Sequence, residues 1–173
     1  MKIYELRERP ALLLQKLLNL WEQSVRTTHL FLSEAEILRI REYVPQALAG
    51  VPHLILAENA AGEPAGFMGI DGKRLKMLFL APESRGHGLG RAILEFGIQT
   101  FAIREVTVNE QNPQALGFYQ HLGFAVYKRT ALDENRGTHI PFFTCAAPDA
   151  SPSSAIARTG KIFSVFFKNG FDV

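Results

Sequence analysis

The 173-residue chain is long enough for one domain with its own core, and its 47% hydrophobic and 21% charged residues are ordinary for a globular protein. A formal net charge of +2, with Lys and Arg scattered, argues against a dedicated nucleic-acid binder; Lys73, Arg74, Lys76 and Arg85 are the nearest approach to a basic patch. The single cysteine, Cys145, excludes an internal disulfide and a Cys-rich metal site, so a reducing, cytoplasmic setting is expected.

Lys2–Leu6 reads as a first strand, and the charges of Lys2, Glu5, Arg7, Glu8 and Arg9 argue against a signal peptide. Pro10 can occupy the first turn of a helix, where its missing N–H costs nothing. Leu13, Leu14, Leu17, Leu18, Trp21 and Val25 then recur at three- and four-residue steps, which predicts one buried face. The apolar run here is broken by Gln15, Lys16 and Asn19 and is too short to span a bilayer, so no membrane is expected as a partner. Ser33 and Glu36 form a capping-box pattern that starts a second helix, ended by Gly50 and Pro52.

His53–Glu58 and Pro64–Ile70 read as two strands joined through Asn59–Glu63, and Leu75–Leu80 follows the Asp71-Gly72 turn as a third. Pro82 stops that strand. Beyond the glycine-rich stretch a helix runs from Leu89 to about Ala102 on the apolar positions Ala92, Ile93, Phe96 and Gly97. Val106–Val108 is a strand, Gln114–His121 a short helix, Phe124–Arg129 a strand, and Ile140–Ala146 the last core strand. Strands interleaved with crossover helices imply a mixed α/β sheet. Residues 148–173 differ in character: Ala150–Ser154 reads as a linker and Lys161–Phe167 as an apolar segment, suited to an edge strand or a homodimer contact. Function is therefore read from residues 1–147.

Between Leu80 and the next helix lies Ala81-Pro82-Glu83-Ser84-Arg85-Gly86-His87-Gly88-Leu89-Gly90-Arg91. A strand running into glycines that open a helix presents unpaired N–H groups and the positive end of the macrodipole. Glycines let that backbone approach phosphate oxygens, and Arg85 and Arg91 add positive charge. The spacing fits neither the Gly-x-Gly-x-x-Gly of dinucleotide folds nor the Gly-Lys-Ser/Thr of a Walker loop. By itself the stretch marks a place where a diphosphate can rest.

The segment from Asn112 to Phe124 adds what the loop lacks. Arg85, Gly88 and Gly90, followed by Asn112, Ala115, Phe118, Tyr119, Gly123 and Phe124, resemble the two signatures of the GNAT acetyltransferase superfamily in the family's order. The resemblance covers residues 1–147. Thr28–Ser33 taken with Val108–Asn112 is similar to the bacterial YjaB-type subgroup.

This resemblance implies an α/β fold whose largely antiparallel mixed sheet is splayed between its central strands and flanked by helices. It implies an acetyl-CoA-dependent N-acetyltransferase acting on a primary amine by direct attack through a tetrahedral intermediate. The acceptor would be a small-molecule or peptide amine, and no metal is implied. The backbone of Phe79, Leu80 and Ala81 would pair with the pantetheine arm, the Leu80 N–H would polarise the thioester carbonyl, and Arg85, Gly86, His87, Gly88, Leu89, Gly90 and Arg91 would surround the pyrophosphate. Tyr119 would protonate the departing thiolate, and Asn112 would hydrogen-bond near the cofactor arm or cap the helix ahead of Pro113.

His29, Phe31, Asn109 and Glu110 would line the acceptor side, with His29, Asn109 and Glu110 as candidate bases. Residues around Thr27–Glu36 and the loop Asp133–His139 would shape the acceptor pocket. Cys145 is expected in the core. Three other readings are a CoA-binding module without turnover, an acetyltransferase toxin acting on aminoacyl-tRNA, which would need a concentrated basic face, and an unrelated nucleotide-binding α/β protein.

Overall fold

The structure is a computed structural model that describes residues 1–130 and 142–147. In chain order it runs β1 (Lys2–Glu5), α1 (Ala11–Thr28), α2 (Glu34–Arg41), α3 (Val44–Gly50), β2 (His53–Glu58), β3 (Pro64–Asp71) and β4 (Arg74–Leu80). A 3-10 turn (Pro82–Ser84) leads into α4 (Leu89–Phe101), β5 (Glu105–Asn109), α5 (Pro113–His121), β6 (Ala125–Thr130) and β7 (Phe142–Ala146). The expected strand Ile140–Ala146 is described from Phe142 onward; the loop Asp133–His139, the linker Ala150–Ser154 and the segment Lys161–Phe167 lie outside the described residues.

The seven strands form one sheet in the order β1-β2-β3-β4-β5-β7-β6. β4 and β5 are parallel, and every other neighbouring pair is antiparallel. Helix α1 buries Leu17, Leu18, Leu20, Trp21 and Val25, as its apolar spacing requires, and packs with Leu54, Leu56 and Phe67 in one core. Leu89, Ile93 and Leu94 of α4 and Tyr119 of α5 pack with Ile55, Met68 and Val106 in a second core. The helices thus divide between two cores served by the same strands.

Two sequence expectations shift. Pro10 is the N-cap of α1 rather than a residue of its first turn, its extended backbone (ψ 147°) feeding the first helical bond from Leu14 N–H to the Pro10 carbonyl. The single helix expected from Ser33 to Gly50 is two. Ser33 and Glu36 do form the capping box of α2, but Pro45 sits at the start of α3, where its missing N–H makes continuation from α2 unfavourable and a new start easy.

The feature that positions the site is the β4–β5 pair. The two strands are in register only at Arg74↔Glu105 and Leu75↔Val106. In the β3–β4 ladder the register steps from Gly69↔Met77 to Ile70↔Leu75, so Lys76 is an extra, bulged residue where β4 leaves β5. A bulge bends the strand that carries it and sharpens its twist. The paired end is clamped: Arg74 Nε donates to the buried Glu105 carboxylate at 2.5 Å, Tyr127 Oη donates to its other oxygen at 2.9 Å, and Arg104 N–H bonds the Lys73 carbonyl at 2.8 Å. Beyond the clamp the sheet opens.

Candidate active site

Opening the sheet leaves the β4 edge without a neighbour. Ala81 N–H bonds the Ala65 carbonyl at 2.9 Å, which completes the ladder around the non-hydrogen-bonded pair Gly66↔Leu80. Along β4 the peptide groups therefore alternate: those of Phe79 and Ala81 face β3, while those of Leu78 and Leu80 face the gap. Of Phe79, Leu80 and Ala81, the three expected to pair with an extended arm, only Leu80 turns its peptide groups to the gap, and its N–H is the one left open. Leu78 is the second such residue.

The gap forms a cleft with a cavity volume of about 170 Å³. Residues Leu75 to Phe79 of β4 and Val106 to Asn109 of β5 form its sides. Trp21, Val25, His29, Phe31, Leu32 and Ile40 close it from the α1–α2 face, and Asn112, Ala115 and Tyr119 from the α5 face. It therefore reaches both faces of the sheet.

At the end of β4 the chain turns through the glycine loop. Gly86 (φ +76°) and Gly88 (φ +82°) occupy the left-handed region, and Gly88 is the N-cap of α4 with no side-chain cap bond. Ala92 N–H bonds the Gly88 carbonyl, so the N–H groups of Leu89, Gly90 and Arg91 precede the first intrahelical bond. That is the donor arrangement an anion requires. Gly90 serves packing as well: a Cβ there would lie 3.2 Å from Leu80 Cδ1 and 3.4 Å from the Phe118 ring, so its lack of a side chain lets α4 sit close to β4 and α5. His87 is exposed on the loop, and Arg91 shares its charge with Glu95 at 3.3 Å.

Arg85 departs from expectation. Its guanidinium donates to Thr27 Oγ1 (2.8 Å), the Ser24 carbonyl (3.1 Å), Ser24 Oγ (2.8 Å) and the Leu80 carbonyl (3.3 Å). Four acceptors on α1 and β4 hold it away from the role of a mobile charge on the loop. It is a strut joining the end of α1 to the free strand edge, and burial lowers its pKa. Arg85→Ala is therefore expected to raise KM for the acceptor roughly 10-fold while changing the dissociation constant of CoA by less than about 3-fold. A CoA-selective loss in calorimetry would return Arg85 to the pyrophosphate.

Of the rest of the expected basic patch, Arg74 is on Glu105 and Lys76 pairs with Asp71 at 3.8 Å, while Lys73 is exposed. Tyr119 is 7% exposed and lines the cleft, its ring 5.1 Å from Phe118 and 5.9 Å from Phe124. Its hydroxyl makes no hydrogen bond to a described residue, and burial, aided by Cys145, raises its pKa, so the proton stays on. Asn112 caps α5, its Oδ1 accepting from Ala115 N–H at 3.0 Å, and this leaves its amide N–H₂ on the cleft.

On the other side His29 and Phe31 both line the cleft, with ring centroids 5.5 Å apart. Asn109 lines it too, although its Oδ1 accepts from Gln111 N–H at 2.8 Å. Glu110 is a correction. Its carboxylate is paired with Arg129 on β6 at 2.8 Å and is not among the cleft residues; it lies in the turn just past the end of β5. Cys145 is fully buried, as expected of a core residue.

Sequence reasoning missed Lys76, Thr107 and Phe142 as cleft residues, and it read Trp21 and Val25 only as core. The periodicity of α1 marks a buried face without saying whether that face meets packed side chains or a cleft. Among the described residues no cluster of His, Cys, Asp or Glu could hold a metal, and no helix is long and apolar enough to cross a membrane.

Comparison with known proteins bears on this geometry. Residues 21–142 match the acetyltransferase (GNAT) domain profile. Peptidyl-lysine N-acetyltransferase YjaB of Salmonella typhimurium is 38% identical over 120 residues, covering 69% of this chain and 82% of that protein. The solution structure of apo YjaB from Escherichia coli superposes with a TM-score of 0.75 at 35% identity, covering 87% of this chain and 100% of that one. The PaiA N-acetyltransferase of Thermoplasma acidophilum, solved in complex with coenzyme A, shares the fold with a TM-score of 0.58 at 21% identity, covering 83% of this chain and 98% of that one. The chain belongs to the GNAT family and is an acetyltransferase.

Proposed function

We propose that the protein moves the acetyl group of acetyl-CoA to the side-chain amine of a lysine in a peptide or protein. The observation that carries this reading is the through-sheet cleft: a free strand edge and an uncapped helix end flank one side, and apolar and aromatic side chains line the other. A thioester carrying an amide-rich arm and a diphosphate suits the first half. The peptide groups of Leu78 and the N–H of Leu80 would pair with the arm, the Leu80 carbonyl being held by Arg85, and the N–H groups at the start of α4 would take the diphosphate. One of the two gap-facing N–H groups would also polarise the thioester carbonyl and stabilise the oxyanion.

The acceptor half supports a lysine. Trp21, Val25, Phe31, Leu32 and Ile40 suit a four-methylene stem, and among the described lining residues no carboxylate is present to hold a polycation. The named activity of the YjaB relatives agrees. The amine nitrogen attacks the thioester carbon, the tetrahedral adduct loses a proton from nitrogen, and the C–S bond breaks as the Tyr119 hydroxyl protonates sulfur. The Tyr119 hydroxyl, which bonds no described residue in a side chain that lines the cleft, favours turnover over a CoA-binding module. The pairing of Arg74, Lys76 and Arg85 gives an aminoacyl-tRNA acceptor no concentrated basic face to bind.

The test follows thiol release from acetyl-CoA over a panel of lysyl peptides, free amino acids, polyamines and aminoglycosides. Lysyl peptides are expected to turn over fastest. Preference for a polyamine or aminoglycoside would overturn the acceptor assignment.

A further inference from the structure

The end of α1 carries a hydrogen-bond chain that the acetyl-CoA half does not use. Thr28 Oγ1 lies 2.8 Å from the Ser24 carbonyl and 2.8 Å from His29 Nδ1. A hydroxyl has one proton to give. Two oxygens at 2.8 Å need a proton between them, so the Thr28 hydroxyl donates to Ser24, and the contact with the imidazole must be Nδ1–H donating to Thr28 Oγ1. This fixes the tautomer and leaves the lone pair on Nε2. The same Ser24 takes two bonds from Arg85, so the strut that anchors α1 to β4 also anchors this chain.

The imidazole lines the acceptor side of the cleft between Phe31 and Phe79, whose ring centroids are 5.5 and 6.4 Å away. Burial and the nearby Arg85 push its pKa down to about 4, so it stands neutral at physiological pH. The other candidate bases are spoken for. Glu110 is on Arg129, and Asn109 has no basic atom.

We propose that His29 is the proton acceptor for the attacking amine, its Nε2 lone pair reserved for that step by the bonds of Thr28 and Ser24. The inference rests on the acetyltransfer reading of this cleft. The amine enters neutral, because an imidazole this weakly basic cannot strip a free lysine ammonium of pKa about 10.4. Attack forms the N–C bond and places positive charge on a nitrogen now attached to an electron-poor carbon. That N–H is far more acidic than the free ammonium, and its proton passes to Nε2, directly or through one water. The C–S bond then breaks, sulfur takes the Tyr119 proton, the imidazolium releases its own to solvent, and Tyr119 is reprotonated from solvent. One proton leaves the amine and one arrives on the thiol.

The experiment compares wild type, His29→Ala, His29→Gln and Thr28→Val on a lysyl peptide, with CoA binding measured by calorimetry to show that each variant keeps the donor half. His29→Ala is expected to lose roughly 10²- to 10³-fold in kcat, to bind CoA within about 2-fold of wild type, and to regain part of its rate with added imidazole. His29→Gln should lose as much without rescue, and Thr28→Val about 10-fold in kcat. Activity of His29→Ala within about 3-fold of wild type would overturn the role, as would a loss that imidazole leaves untouched. Wild type that binds CoA yet acetylates no lysyl peptide would instead overturn the proposed function itself.

Discussion

Tyr119→Phe is expected to lower kcat roughly 10²- to 10³-fold while leaving KM for acetyl-CoA within about 2-fold. The ring is what packs: it lies against Phe118 and Phe124 in the core served by α4 and α5, and phenylalanine keeps all of that. The hydroxyl bonds no described residue, so its removal orphans no partner. Stability should therefore hold or rise slightly, and the melting temperature separates lost chemistry from lost structure. Because burial raises the pKa of this phenol above its ordinary value, wild type should show no tyrosine-dependent fall in rate up to about pH 10. Full turnover in the variant would reduce Tyr119 to a packing residue.

Gly88→Val should have a comparable effect at the other end of the cleft. Gly88 sits at φ +82° as the N-cap of α4, a conformation that a β-branched residue adopts only with strain of about 1–3 kcal/mol. A Cβ there meets nothing within 4 Å, so no clash with the protein explains the change. The cost falls on the loop, and the new side chain stands beside the unpaired N–H groups of the first turn. CoA affinity should drop roughly 10- to 100-fold in calorimetry. Gly90→Ala makes the contrast, because its Cβ would press on Leu80 and Phe118 and so act on packing. Unchanged CoA binding in Gly88→Val would remove the diphosphate from this loop.

Much of the architecture was legible because local rules and tertiary structure agree. The three- and four-residue steps from Leu13 to Val25 give α1, Ser33 with Glu36 gives the start of α2, and glycines after Leu80 give the turn into α4. The break between α2 and α3 was equally local: Pro45 carries it, and the periodicity around it simply runs on across the break.

What stayed hidden depends on partners distant in sequence. Nothing in the residues around Arg85 says that its guanidinium reaches Ser24 and Thr27, which precede it by 61 and 58 positions. Glu110 looks as suited to a base as any carboxylate until Arg129, from another strand, is seen to hold it. The bulge at Lys76 leaves no mark in the stretch Leu75-Lys76-Met77-Leu78-Phe79-Leu80, yet it coincides with the point where the sheet opens. The tautomer of His29 was likewise invisible, since it follows from two distances on Thr28.

The most direct test of acetyltransfer to lysine is to incubate the protein with acetyl-CoA and a lysyl peptide, and to measure thiol release and Nε-acetyl-lysine together. The expected result is equal amounts of both, abolished in step by Tyr119→Phe. Thiol release without acetyl-lysine, or tight CoA binding with neither product, would contradict it.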